Sequence, residues 1–447
     1  MLNPVAQLPS PKRRIARGGP ELCSIEVDLL VVTPILGGGA ATRQLDVVDV
    51  IRVPTVRGHL RFWWRAVRAA ETPQALFKAE SGLWGCAATD DGGRSLVDIR
   101  ITVGETGKID PDQILLYDSR DRKATRGAYA LWPARGDRNN QSAPRRSAGT
   151  RFRLELLAPK KFEPELRDAV RAWVLFGGYG SRTRRGLGSL TVTRDTKAWL
   201  PVRPTREEFR RLFDGDIFAS PGQDAESAPW LGGAALQVGR AEQEAENAWT
   251  TALDWLKEFR QGHRGDRGDR AREPGEGKPQ PNRPSISNWP EADKIRHLTG
   301  KTKAHPPRHN AVPAWPRAGF GLPIIGRFQN KGRAGEYLDE PGAFELRWCS
   351  SKGEHDRLAS PLILKALPLA DGTFVPCALW LTRGFPPGAS VVLAQERAVH
   401  PQSSAPFDRL VAAGDTPQFS ALADKPSLRQ AFLEWLHKDY STSRVAP

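Results

Sequence analysis

Cysteine is sparse: Cys23, Cys86, Cys349 and Cys377 stand far apart in 447 residues. No two of them form a C-x-x-C, so neither a zinc ribbon nor a dithiol redox pair is indicated, and no cofactor is expected. Long apolar runs are missing as well. Nothing approaches the roughly 18 residues of a membrane span, and no secretory apolar region is present. The expectation is a soluble cytoplasmic protein with no membrane partner. Three ligand fingerprints fail on single positions. Gly178-x-Gly180 lacks the third glycine of a dinucleotide loop, because position 183 is Thr. Gly300-Lys301-Thr302 would need glycine where Ile295 stands to close a phosphate-binding loop. Pro306 and Pro307 separate His305 from His309 and prevent the helix that would align both on a metal. Asp46 and Asp49 flank an apolar pair but lack a third ligand.

Lysine is scarce too, at 17 against 49 arginines. Arginine forks grip phosphate bidentately and stack on bases, a bias that suits nucleic acid and also follows from genomic base composition. The net charge of +15 and a pI near 9.9 favour a polyanionic partner, nucleic acid first. With 39% apolar residues and 14 tryptophans the chain can bury a large core, and its length suggests two or three domains.

Alternation followed by a wholly apolar run predicts a strand over 22–33, ending at Thr33-Pro34 and a Gly37-Gly38-Gly39 loop. A short extended piece, 47–53, leads to Thr55 as the N-cap of a helix. In that helix Leu60, Trp63, Trp64 and Val67 share an apolar face, and Arg57, Arg61, Arg65 and Arg68 an adjacent basic one. Strands follow at 97–103 and 151–157, with a polar loop over 118–149 between them. A helix opens near Pro164 and stops at Gly177-Gly178, and a last strand spans 187–193. This order is the ferredoxin-like (RRM-like) βαββαβ unit, and it fills residues 22–200 after a loose basic tail, 1–21.

Residues 201–447 read as a second, decorated ferredoxin-like domain, for an α+β protein overall. They hold a helix over 241–259, strands at 343–348, 358–367 and 373–381, and a closing helix over 426–440. Residues 261–284 cannot pack a core and read as a disordered insertion.

The loop G-G-Y-G-S-R-T-R-R-G-L-G at 177–188 interleaves glycine with Arg182, Arg184 and Arg185, which suits a sugar-phosphate backbone. Its R-G-L-G portion has the outline of an RRM signature, with aliphatic residues at the stacking positions. His59 could serve as a general base toward a 2′-hydroxyl, but no tyrosine or second histidine lies nearby in sequence to act as acid.

Thr33-Pro34 with Gly37–Gly39, P-T-V-R-G-H-L-R-F-W-W-R-A at 54–66 and the 177–188 loop resemble the RAMP superfamily of CRISPR proteins. Within it they are similar to subunits of type III-B (Cmr) effector complexes. S-N-W-P-E-A-D-K-I-R at 287–296 and R-L-A-S-P-L-I-L-K at 357–365 carry the resemblance into the second half. It implies a non-catalytic subunit at the guide-RNA 3′ end that aids target RNA capture. Its implied partners are guide RNA, target RNA and other Cmr/RAMP subunits. The implied RNA-facing residues are Gly37, Gly38, Gly39, Arg57, His59, Arg61, Arg65, Arg182, Arg184 and Arg185. Two alternatives stay open: a metal-independent endoribonuclease that uses His59, and an assembly module whose arginines meet acidic neighbours.

Overall fold

The computed structural model describes residues 20–446 except 40, 42, 69–71, 88–92, 117–121, 138–139, 221–228, 262–288, 304–306, 329–338, 356, 386–387, 397, 408 and 416–418. The expected basic tail through residue 19 and the expected insertion from residue 262 lie outside the described residues.

The first unit runs β1 (Leu22–Val31), α1 (Val53–Val67), α2 (Pro73–Trp84), β2 (Asp98–Val103), β3 (Arg151–Pro159), α3 (Glu163–Phe176) and β4 (Leu190–Val192). Its sheet has the order β2-β3-β1-β4, antiparallel at every pairing. The period-2 pattern of β1 is what orients it: Cys23, Ile25, Val27, Leu29 and Val31 point to the core. α1 buries Val56, Leu60, Trp63, Trp64 and Ala66.

Two local expectations are corrected. Residues 47–51 are bends rather than an extended strand, because the Asp46 carboxylate accepts the amides of Val48 and Asp49 at 3.0 and 2.8 Å. The helix starts at Val53 with Arg52 as N-cap, which places Thr55 inside the first turn; Pro54, with its φ already helical, moves the start upstream. The helix α2 was not anticipated at all, and the 118–149 segment holds short pieces at Ala128–Leu131, Trp132–Ala134 and Arg145–Arg146.

The second unit repeats the order: β5 (Trp230–Val238), α4 (Ala245–Gln261), β6 (Leu362–Pro368), β7 (Phe374–Thr382), α5 (Leu428–Tyr440) and β8 (Ser443–Ala446). Its sheet order, β6-β7-β5-β8, places the four strands as in the first unit. The long connections after α4 and after β7 build a separate antiparallel sheet. There Phe344–Ser350 pairs with Ser390–Gln395, Ile324–Gly326 and Gly353–His355. The strand expected at 343–348 thus belongs to this added sheet. The helix Glu291–Thr299 sits in the same insertion. Its charges are satisfied internally, with Lys294 bonded to Asp415 at 2.5 Å and Arg296 forked onto Glu340 at 2.9 and 3.2 Å, all four buried.

The two units stack in four layers. One core joins β1, α1 and α3 to Leu236, Ile363, Leu367, Val375 and Leu379 on the near face of the second sheet. The far face, through Ala235, Leu364, Ala378 and Trp380, packs on α4 and α5. A sheet covered on both faces needs continuous apolar strands, and β6 and β7 are buried almost throughout.

Candidate nucleic-acid interface

The glycine-arginine loop leaves α3 at Gly177 and folds back over the end of β1. The Tyr179 amide donates to the Gly188 carbonyl at 2.8 Å, the Gly188 amide to Pro34 at 2.8 Å and the Ser181 amide to Leu36 at 2.7 Å. Thr33 braces the other side, its hydroxyl donating to the Gly186 carbonyl at 2.6 Å and accepting the Ser189 amide at 2.8 Å. This brings the Gly37–Gly39 turn against the loop. Gly37 lies at φ +65°, and a Cβ there would meet Ser181 Oγ at 2.7 Å. Two backbone segments, 37–39 and 179–182, therefore share one surface with few side chains on it.

Of the loop's three arginines, Arg182 is exposed, in the left-handed region at φ +59°, and makes no ion pair among the described residues. The other two turn into the second unit. Arg184 donates to the Ser360 carbonyl, and Arg185 donates to the Leu362 carbonyl at 2.8 Å and to Ser360 Oγ at 3.2 Å. Burial pulls the Arg185 guanidinium down to about 9, still charged at neutral pH. Trp249 of α4 closes the contact, its indole N–H donating to the Arg185 carbonyl at 2.7 Å. The rule that glycines admit a ligand is only half the story. Gly186, at φ +74°, has no room for a Cβ, which would stand 2.4 Å from Trp249.

The basic face of α1 is spoken for. Arg61 Nε and Arg65 both donate to the buried Glu80 carboxylate of α2, Arg61 at 2.6 Å. Arg57 donates to Ser95 Oγ at 2.7 Å and to the Val97 carbonyl at 3.1 Å. Arg68 pairs with Glu165 at 2.7 Å and covers the Trp64 ring at 4.6 Å. These side chains lock α1 to its neighbours.

His59 stacks on Trp173 with ring centroids 6.0 Å apart, and its Nε2 is buried with no hydrogen-bond partner. Burial pushes its pKa down to about 4, so the ring is neutral at pH 7. The fold supplies the tyrosine that sequence proximity did not: Tyr179 lies edge-on to His59 at 6.2 Å. It is fully buried, its hydroxyl accepts the Arg52 amide at 2.9 Å, and burial raises its pKa. Among the described residues no three His, Cys, Asp or Glu side chains gather as metal ligands. No helix of the described residues is long and apolar enough to cross a membrane.

Residues 28–191 match the family model of the RAMP superfamily. Over that span the chain is similar to the RAMP superfamily. No curated protein sequence matches the chain significantly. Among solved structures, apo Cmr1 from Pyrococcus furiosus aligns over 95% of this chain and 99% of its own, at 15% identity and a TM-score of 0.48. A chain of the type III-B Cmr-beta complex bound to cognate target RNA aligns over 88% of this chain and 97% of its own, at 10% identity and a TM-score of 0.42. A second such complex, bound to cognate target RNA and AMPPnP in the presence of ssDNA, gives 80% and 94% coverage, 12% identity and a TM-score of 0.42.

Within the matched residues 28–191 the sequence-expected residues divide into two groups. Gly37, Gly38 and His59 lie against Ser181 or Tyr179, with Gly39 and Arg182 next to them in the chain. Arg57, Arg61 and Arg65 are committed to the first unit, and Arg184 and Arg185 to the second. One contributor escaped sequence reading. Arg43, just past the glycine turn, donates to the carbonyls of Pro133, Ala134, Arg135 and Gln141 at 2.8–3.3 Å, tying the turn to the 132–141 segment. Its signal was slight, a lone arginine after a glycine run.

Proposed function

We propose that the chain is a non-catalytic, RNA-binding subunit of a type III-B CRISPR (Cmr) ribonucleoprotein, comparable to the first-numbered Cmr subunit. It would sit at the guide-RNA 3′ end, help capture target RNA and contact other Cmr/RAMP subunits. We read it as two ferredoxin-like domains, 22–200 and 201–447, since the same helix and strand order and the same sheet order occur twice. The observation that carries the RNA reading is the junction of the Gly37–Gly39 turn with the 177–188 loop. It leaves backbone and the exposed Arg182 on one surface, which suits phosphate. The His59 ring, pushed to about 4 and facing a buried tyrosine, is a weak base at neutral pH and supports hydrogen bonding over cleavage.

The test is incubation of the full chain with single-stranded RNA and repeat-derived RNA in EDTA. Retention of intact RNA on the protein is expected. Specific cleavage that disappears in His59→Ala would establish the endoribonuclease alternative instead.

A further inference from the structure

Of the 14 tryptophans in the chain, 13 are buried or half-buried and Trp132 is exposed, at 45%. Leaving an indole in water forgoes one of the largest burials a side chain can make, so its setting is informative. Trp132 stands on the short Trp132–Ala134 turn in the long β2–β3 connection of the first unit. The Arg135 guanidinium covers its ring at 4.4 Å. Arg43, reaching from the Gly37–Gly39 turn, clamps this segment through the four carbonyls named above, so the indole is presented from a fixed platform. Trp132 also lines a cavity of about 420 Å³ between the two units. Tyr129 stands beside it, and Thr250, Leu253, Asp254 and Lys257 of α4 form the facing wall. Asp254 and Lys257 lie 3.8 Å apart and give that wall a polar end. Gly127 on the cavity wall abuts Trp249, whose indole N–H bonds the Arg185 carbonyl, so the cavity neighbours the glycine-arginine loop.

We propose that this cavity is a base-stacking subsite for single-stranded RNA, in which an unpaired nucleobase lies on the Trp132 ring while the adjoining backbone follows Arg182 and the Gly37–Gly39 turn. The proposal rests on the RNA-binding reading and deepens it. Three features select RNA over an apolar peptide. A cation already caps the indole, the mixed Asp254–Lys257 end suits the polar edge of a base, and Arg43 and Trp249 tie the platform to the Gly37–Gly39 turn and the glycine-arginine loop. Sequence-tolerant stacking on an aromatic platform beside a basic track is the usual design for single-stranded nucleic acid.

The experiment uses the full chain and an oligouridine carrying one 5-iodouridine, with affinity measured over a salt series. Photocrosslinks are expected on the peptide containing Trp132. Trp132→Ala should weaken binding about tenfold with an unchanged slope of log K against log[salt], because stacking neutralises no phosphate. Trp132→Phe should recover most of the affinity. An abasic nucleotide at the crosslinked position should cost the wild type affinity and leave the Trp132→Ala variant nearly unaffected. Wild-type binding to RNA that Trp132→Ala leaves unchanged, with crosslinks elsewhere, overturns the subsite and spares the RNA reading. Failure of the wild type to bind any of these RNAs overturns both.

Discussion

Glu80 is the residue that decides what α1 offers a partner. Its buried carboxylate takes bonds from Arg61 and Arg65, so two charges that helical spacing places on a free basic stripe are spent on holding α1 to α2. Glu80→Gln should lower stability by about 1–3 kcal/mol in denaturant titration, as expected when a buried acceptor of charged donors is weakened. It should leave the salt slope of RNA binding unchanged. His59 makes a pH-dependent contribution. Its folded pKa, about 4, lies below the ordinary 6.5, so between these values the unfolded chain holds the extra proton. Its contribution is complete above pH 6.5 and is lost as pH falls toward 4. The difference in stability between wild type and His59→Gln should shrink across that window by up to ~3 kcal/mol. A constant difference would mean the ring is more open to water than the structure has it.

At the scale of elements, the glycine-arginine loop is a joint between units as much as a surface for a ligand. Gly186→Ala forces a non-glycine residue to φ +74° and drives a methyl into Trp249, so a loss of more than about 2 kcal/mol is expected in thermal or chemical unfolding. The sequence made much of this architecture readable. The β1 alternation, the apolar stripe of α1 and the stop of α3 at Gly177 all follow from local period and turn chemistry. What stayed hidden depended on distant partners. β5 is a strand because β7 offers it an edge, and the four-residue β8 because β5 offers the next one. α2 did announce itself: Thr72 caps Ala75 at 3.2 Å with Pro73 in the first turn. The fate of the arginines was less legible, since nothing local says that Glu80 is buried or that Arg185 meets Leu362.

For the whole molecule, the central fact is that the helices of the first unit are roofed by the second sheet. Lys365 of β6 marks the seam. Buried completely, it donates to the Val174 and Gly177 carbonyls at 2.7 and 2.9 Å, capping the C-terminal end of α3 from the other unit. Burial pulls its pKa to about 7 from an ordinary 10.5. Between these values the unfolded chain binds more protons, so stability should rise as pH goes from 7 to 10, and Lys365→Met should lack that rise in matched melts.

The RNA-binding reading rests on the surface shared by Gly37–Gly39 and Arg182 meeting RNA phosphate. The direct measurement is the slope of log K against log[salt] for single-stranded RNA, on wild type, Arg182→Ala and Arg61→Ala. A clear negative slope is expected, reduced by about one phosphate's worth in Arg182→Ala and unchanged in Arg61→Ala. A flat wild-type slope, or a slope that Arg182→Ala leaves intact, would contradict it.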